Sequence, residues 1–219
     1  MGRDAVKRFL VLALLVFIPT VVAAGDRPDR PHWSLELKGG TFFPDVDQWS
    51  KFYGSSYLAQ FGGTLSYKVL RQLEVGLGGS YGRATGTGQQ LGHGTTAGES
   101  TFQQAPLDVF VLGRGIFSED QLLVPYAGGG YTRMFYRIGM NGEQSTQGSV
   151  NGYHGRAGVQ ILLDRLDREA ADNLYKDYGL YHTYFFAEGK YTRAMADTNP
   201  SGSVNLGGAS CLGGFMFEF

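Results

Sequence analysis

Eight segments of this chain alternate apolar and polar side chains over about 11 to 17 residues each. Because strand side chains point to opposite faces with period two, each segment predicts a β-strand with one apolar face. Strands of globular proteins usually have roughly 5–6 residues, whereas strands that cross a membrane need about 9–11. The pattern therefore predicts an all-β fold, an eight-stranded antiparallel transmembrane β-barrel. The segments are 33–43, 57–70, 73–83, 102–117, 122–138, 150–163, 181–195 and 204–219.

Long and short connections alternate between these segments. Long, polar, glycine-rich connections at 44–56, 84–101, 139–149 and 196–203 alternate with short turns at 71–72 and 118–121. Long loops on one side and short turns on the other are typical of transmembrane barrels. The chain has 34 glycines and 14% aromatic residues, which agrees with this class. The formal net charge of −1 is too small to indicate a nucleic-acid partner.

The N-terminus has the three parts of a secretory signal peptide. Arg3, Lys7 and Arg8 precede the apolar run 10–18, and small residues up to Ala24 follow. The apolar run is shorter than the roughly 20 residues of a membrane-spanning helix, so export is favoured over a membrane anchor. We therefore predict a signal peptide at 1–24 and a barrel domain at 25–219.

The C-terminus resembles the assembly signal of bacterial outer-membrane barrels, a pattern of polar-x-Gly-x-x-apolar-x-aromatic. Gly214, Phe217 and Phe219 match it, and Leu212 departs from it at the polar place. As a whole, the chain is similar to small eight-stranded barrels of the OmpA transmembrane-domain, OmpX, OmpW and opacity-protein type. It looks closest to uncharacterised delta-proteobacterial outer-membrane barrel proteins.

This resemblance implies a porin-like barrel in the Gram-negative cell envelope. Both termini would be periplasmic and the long surface loops extracellular. The partners implied are outer-membrane lipids and lipopolysaccharide, with the barrel-assembly machinery during insertion. A monomer is expected.

Charged residues alternate with the apolar faces and are expected to line the lumen. Because five acids and seven bases in a narrow lumen are costly unless paired, we expect an ion-pair network that closes or narrows the barrel. If a path remained, the surplus of two positive charges would favour anions. The network comprises Glu36, Lys38, Lys68, Glu74, Asp108, Arg114, Arg133, Arg137, Arg156, Glu188 and Lys190, with Glu218 as a further inward acid.

Aromatic residues near the ends of the segments are expected to form two girdles at the membrane interfaces, as the bilayer favours. At the periplasmic interface we expect Trp33, Tyr67, Phe117, Tyr126 and Phe219. At the external interface we expect Phe43, Tyr81, Tyr136 and Tyr153.

One connection on the side of the short turns is long. Leu166, Ala170, Leu174 and Tyr178 recur every four residues, which predicts one short helix over 164–178 that ends at Gly179. The helix could pack at the barrel rim or lie in the membrane interface. Alternatively, it could form a partial plug or dock a partner.

Candidate catalytic residues are present without a spacing that joins them. Some barrels of this class modify lipid A with a histidine, a serine and an acid near the external rim. Here His154 has Ser149 close in sequence, and His93 has Glu99 and Ser100. An acyl-transfer site needs its groups within hydrogen-bond reach, and nothing in the sequence brings them there. We therefore expect no enzyme, no cofactor and no metal site.

The leading hypothesis is an outer-membrane barrel with a structural or surface-interaction role. The alternatives are a narrow pore for small or amphipathic solutes and a lipid A-modifying enzyme. The same alternation would also fit a secreted soluble barrel. In that fold the apolar face would line a ligand pocket and the polar face would be exposed to solvent. The single Cys211 shares a face with Phe215 and is expected to contact lipid.

Overall fold

The structure is a computed structural model that describes residues 31–87, 99–118, 121–140, 145–198 and 202–219. The predicted signal peptide and the residue His93 lie outside the described residues. Within the described residues, no helix is long and apolar enough to cross a membrane.

Nine strands and two short helices make up the fold. The strands are β1 (Trp33–Pro44), β2 (Leu58–Leu70), β3 (Leu73–Thr87), β4 (Glu99–Arg114), β5 (Leu123–Met140), β6 (Thr146–Leu162), β7 (His182–Thr198), β8 (Gly202–Asn205) and β9 (Gly208–Glu218). The helices are α1 (Trp49–Tyr53), between β1 and β2, and α2 (Arg168–Tyr178), between β6 and β7.

Eight of the strands close into an antiparallel barrel. Strands β1 to β7 each pair with the next, and β9 pairs with both β7 and β1. Trp33 and Phe219 exchange two backbone hydrogen bonds of 2.8 and 2.9 Å beside this seam. The predicted eight-stranded antiparallel barrel with one helix in the β6–β7 connection is confirmed. We call the end that holds Trp33 and Phe219 the terminal end, and the opposite end the loop end.

The last predicted segment is two strands rather than one. The short β8 pairs only with the outer part of β7, and β9 begins at Gly208. Gly208 has a φ of 157°, and a Cβ there would lie 2.1 Å from the carbonyl oxygen of Phe43. The side chain of Asn205 accepts hydrogen bonds from the N–H groups of Ala194 and Gly207. These contacts turn the chain between the two strands.

Helix α1 lies in a connection that the sequence analysis treated as a loop. Trp49 is buried and contacts Tyr53 by ring stacking at 4.1 Å and Phe102 edge-on at 5.1 Å. Gly54 ends the helix in a left-handed conformation. The helix therefore folds over the loop end of the barrel.

Helix α2 begins later than predicted, because residues 164–167 form a turn. Asp164 accepts hydrogen bonds from the backbone N–H of Thr183 and pairs with His182. Asp167 is the N-cap and accepts from the N–H of Ala170 at 2.9 Å. Gly179 ends the helix, as expected. None of the helical residues is buried, so α2 does not plug the barrel.

Candidate functional site

The lumen of the barrel holds ten charged side chains of the eight barrel strands, five acids and five bases. Even-numbered positions point inward, and odd-numbered positions point outward, over most of their length. The inward face therefore carries the polar chemistry, and the outward face carries large exposed apolar side chains. This is the reverse of a soluble barrel that binds an apolar ligand in its interior.

The charged group nearest the terminal end is built around Arg114 on β4. Its guanidinium donates to Glu74 on β3 at 2.9 Å and also pairs with Glu218 on β9. Lys68 on β2 pairs with the same Glu218 at 2.6 Å. The Gln160 side-chain oxygen accepts from Arg114 at 2.9 and 2.6 Å. Five strands thus contribute to one buried cluster of two bases and two acids.

The second charged group is built around Arg156 on β6. The guanidinium donates to both oxygens of Glu36, at 2.9 and 2.8 Å, and to Glu188 at 2.6 Å. Lys38 lies 3.5 Å from Glu36 and 3.4 Å from Glu188. The hydroxyl of Tyr126 donates to Glu188 at 3.0 Å. Two acids again face two bases, and each acid contacts both of them.

The third charged group lies closer to the loop end. Lys190 pairs with Asp108, which also accepts a hydrogen bond of 2.6 Å from Thr132. The Nδ1 atom of His154 lies 2.8 Å from the Thr132 hydroxyl. Because Asp108 is already paired with Lys190, His154 completes a polar network rather than an isolated reactive pair.

The lumen is balanced in formal charge, which differs from the sequence analysis. Arg133 and Arg137 were predicted inside, but both are exposed on the outward face. Removing them leaves five bases and five acids in the three groups, so the expected surplus of two positive charges is wrong. Each inward acid now has a basic partner among the inward side chains.

Strand β5 was assigned to the wrong face, and this also moves two aromatic residues. Tyr126 and Tyr136 were predicted at the membrane interfaces, but Tyr126 is buried in the lumen and Tyr136 packs against inward apolar clusters. Val124 and Met134 on the same face are 1% exposed. The inward face of β5 is apolar because it contributes to the clusters at both ends of the lumen. Its two faces therefore look alike in sequence.

The signal that the sequence analysis missed was the pair Tyr131 and Phe135. Both point outward and are exposed. They share a face with Arg133 and Arg137, and the arginines were read as evidence that this face was inward. The glycines at 128–130 in the middle of β5 offered no contrast between the faces.

Apolar side chains cluster at both ends of the lumen. At the terminal end Phe186 is 0% exposed and packs with Val124, Leu162, Tyr184 and Met216. At the loop end α1 places Trp49 in a cluster with Phe42, Leu58 and Phe102. Beside that cluster, the Trp49 indole N–H and the Gln104 amide are buried without a hydrogen-bond partner. The Arg114 group adjoins the cluster at the terminal end, since the Arg114 guanidinium lies 5.2 Å from the centre of the Tyr184 ring and the Gln160 amide donates to the sulfur of Met216.

Most of the other predicted interface aromatics lie on the outward face, where Trp33, Phe43, Tyr67 and Tyr153 are exposed and Tyr81 is partly exposed. Phe117 is exposed in the connection that follows β4. Trp33 contacts Tyr67 edge-on at 5.1 Å, near the terminal end. Their position relative to a bilayer stays a prediction.

The residues of the predicted assembly signal lie on both faces of β9. Phe217 and Phe219 are outward and partly exposed, whereas Gly214 is inward. A Cβ at Gly214 would lie 1.9 Å from the carbonyl oxygen of Leu37 on β1. Gly214 therefore permits the close approach of β9 to β1 at the seam. Its part in assembly stays a prediction.

The candidate catalytic residues do not come together. His154 points into the lumen and is buried, whereas Ser149 is exposed on the outward face of the same strand. The two side chains therefore cannot act on one substrate group. In the part of the chain that the structure describes, no three metal-ligating side chains cluster. Cys211 is exposed on the outward face of β9.

Comparison with solved structures gives matches to small β-barrels. The structure of Neisserial surface protein A (NspA) aligns with a TM-score of 0.55 and 11% identity, over 85% of this chain and 97% of that one. The N-terminal barrel domain of Pseudomonas aeruginosa OprF aligns with a TM-score of 0.48 and 13% identity, over 87% and 98% of the two chains. The attachment invasion locus protein Ail of Yersinia pestis aligns with a TM-score of 0.48 and 12% identity, over 87% and 99%.

The likeness to NspA establishes the barrel fold. No protein-family model matches the chain, and no curated protein matches it either. The resemblance to delta-proteobacterial barrels in particular stays a prediction.

Proposed function

We propose that this protein is an integral outer-membrane barrel with a structural or surface-interaction role and a closed lumen. The observation that carries the proposal is the outward face of the barrel. Large apolar side chains cover its middle without any protein partner, whereas charged side chains fill the interior. An exposed apolar surface of this extent marks contact with a membrane or a partner.

The apolar side chains form a continuous band around the strands, which we call the apolar band. Phe61 and Leu77 are each 61% exposed, and Val109 is 56% exposed. A ring of such residues on every strand fits a bilayer better than a protein partner, because a partner would cover one side only. The band comprises Leu37, Phe61, Leu77, Leu107, Val109, Val111, Tyr131, Tyr153, Ile161, Phe185, Tyr191 and Phe215.

The filled lumen supports a role other than transport. Every inward acid is paired, and apolar side chains cluster at both ends. Opening a path would require breaking a buried cluster such as that of Arg156, and removing one partner of a buried pair typically costs about 3–5 kcal/mol. We therefore propose that the barrel conducts no ions. We also propose that its external loops make the contacts with other molecules at the cell surface. We also propose that it is not an enzyme.

The orientation follows from the loops. We propose that the loop end faces the cell exterior and the terminal end faces the periplasm, after export and insertion by the barrel-assembly machinery. Gly214, Phe217 and Phe219 would then present the assembly signal at the β9–β1 seam. The protein is proposed to be a monomer, because the eight barrel strands close on themselves and leave no sheet edge within the barrel.

Refolding of residues 25–219 into lipid vesicles tests the proposal. We expect the protein to float with the vesicles in a density gradient and to show the heat-dependent gel shift of a folded barrel. In a planar bilayer we expect no discrete conductance steps. Floating protein with reproducible steps would make it a pore. Folded protein that stays in the aqueous fraction would make it a secreted soluble barrel.

A further inference from the structure

Among the side chains that the structure describes, those on the outward face of the barrel carry charge of one sign and at one end only. Among the outward side chains that the structure describes on the eight barrel strands, there are no carboxylates and no lysines. Four arginines are the only charged residues of this set, and all four lie toward the loop end. They are Arg83, Arg133, Arg137 and Arg193, which together we call the arginine belt.

The strand register places the arginine belt along the upper border of the apolar band. Gln103 on β4 is opposite both Arg83 on β3 and Arg137 on β5. These two arginines are therefore in one row, roughly 10 Å apart, since neighbouring strands are about 4.8 Å apart. Arg193 on β7 is opposite Tyr153 on β6, a residue of the apolar band.

The guanidinium groups of the belt lack compensating charges. None of the four forms an ion pair with a carboxylate that the structure describes. Arg133 donates to the hydroxyl of Ser149 at 3.3 Å, and Arg137 donates to the hydroxyl of Ser145 at 3.1 Å. A hydroxyl oxygen orients a guanidinium but leaves its positive charge available to an anion.

The side chains around the belt are polar and neutral. Gln147, Ser149 and Asn151 point outward on β6 beside Arg133 and Arg137. The Arg133 guanidinium lies 5.5 Å from the centre of the outward Phe135 ring. Arginine is well suited to phosphate because its planar fork donates two parallel hydrogen bonds. The surroundings thus combine phosphate donors, neutral hydrogen-bonding groups and an adjoining lipid-facing surface.

We propose that the arginine belt binds the phosphate groups of lipids in the leaflet at the loop end. This inference rests on the proposed membrane-spanning role, since the belt borders a band that would face acyl chains. The occupant is a lipid phosphate rather than a free anion, because the acyl chains of the lipid would lie along the apolar band directly below. The belt would hold such lipids around β3 to β7.

Native mass spectrometry of the refolded protein tests the proposal. The detergent-solubilised barrel is given equal amounts of phosphatidic acid, which carries a phosphate monoester, and phosphatidylcholine, which is neutral. We expect the protein to retain phosphatidic acid in preference. In the variant R133Q/R137Q the preference should fall by roughly fivefold for each arginine removed, as for other basic residues near a lipid surface.

The matched control is R168Q/K176Q, which removes two positive charges from the exposed helix α2 at the terminal end. We expect this control to keep the lipid preference. The gel shift checks that each variant is folded, and the single variant R137Q replaces the double variant if the latter fails that check.

Three results would overturn the proposal. Equal loss in R133Q/R137Q and R168Q/K176Q would mean a general effect of net charge. Equal retention of the two lipids by the unaltered protein would mean that the belt does not prefer an anionic phosphate monoester over the phosphate of phosphatidylcholine, whose charge the choline ammonium offsets. Complete displacement of phosphatidic acid by an excess of inorganic phosphate would mean a free-anion site. If the protein failed to float with vesicles, the proposed membrane-spanning function would be refuted instead. The flotation test and the lipid-binding test therefore distinguish failure of the function from failure of the arginine belt.

Discussion

Arg156 donates hydrogen bonds to both carboxylate oxygens of Glu36, at 2.9 and 2.8 Å, although 120 residues separate the two in sequence. The two strands are not neighbours, since β7 and β9 lie between β6 and β1. This pair therefore ties together parts of the wall that share no backbone hydrogen bonds. Because the two side chains meet inside the barrel, the pair supports the proposal that the lumen is closed.

Replacing Arg156 with methionine should destabilise the barrel strongly. Glu36 and Glu188 would keep only Lys38 as a basic partner, and removing one partner of a buried ion pair costs about 3–5 kcal/mol. The matched control is Arg168→Met, at an exposed position of α2 outside the barrel wall, where a change within about 0.5 kcal/mol is expected. Urea unfolding of the vesicle-inserted proteins measures both. Equal unfolding midpoints for the two variants would contradict the buried network.

Gly214 should tolerate a methyl group far less well than its neighbour Gly213. A Cβ at Gly214 would lie 1.9 Å from the Leu37 carbonyl oxygen, whereas a Cβ at Gly213 would contact the Phe186 carbonyl oxygen at an ordinary 3.4 Å. We expect Gly214→Ala to cost about 1–3 kcal/mol, as overpacking usually does. The folded fraction in the gel-shift assay measures the effect. If Gly213→Ala were the more harmful change, the seam geometry would be wrong.

A charge in the middle of the apolar band should be costly, and the same charge near the arginine belt should not. Val109 and Thr101 lie on the outward face of the same strand, and Thr101 is opposite the uncharged Thr85 and Gly139. We expect Val109→Arg to destabilise by about 2–4 kcal/mol, as at a bilayer midplane, and Thr101→Arg by about 0–1 kcal/mol. Unfolding in vesicles compares them. Similar costs at both positions would argue against a bilayer around the barrel.

Removing the N-cap of helix α2 should unfold the helix while the barrel stays folded. Asp167→Ala removes the cap on the N–H of Ala170, which typically costs about 0.5–2 kcal/mol of helix stability. The control Asn173→Ala, at an exposed position in the same helix, should favour the helix because alanine has the higher propensity. Hydrogen exchange of residues 168–178 reads out the local effect. A matching loss of global barrel stability would mean that α2 packs on the barrel.

The strand pattern was accessible from sequence wherever the two faces of a strand differ in polarity. On β4 and β7 the inward charges Asp108 and Lys190 alternate with apolar outward residues, and the faces were assigned as the structure has them. On β5 both faces carry aromatic residues, since Tyr126 is buried in the lumen whereas Tyr131 and Phe135 are exposed on the outward face. Only the pairing of β5 with its neighbouring strands shows which of its two faces points inward.

The contacts inside the lumen could not be read from the sequence. The alternation of side chains along each strand predicted that Glu36 and Arg156 point inward. Their contact, however, depends on how the barrel closes and on which residues lie at the same level along its axis. Helix α1 was missed for a related reason. Its five residues are too few for a periodic pattern, and Trp49 is held by tertiary contacts with Phe102.

The central claim is that the outward face of the barrel contacts acyl chains, and the chain's single cysteine tests it directly. Cys211 is exposed on β9, opposite Thr41 and Gly189, and needs no engineered substitution for labelling. A spin label there, in vesicles, reports its collisions with oxygen and with a water-soluble nickel complex. We expect frequent collisions with oxygen, which dissolves in the bilayer, and few with nickel. Frequent collisions with nickel in the inserted, folded protein would contradict the account.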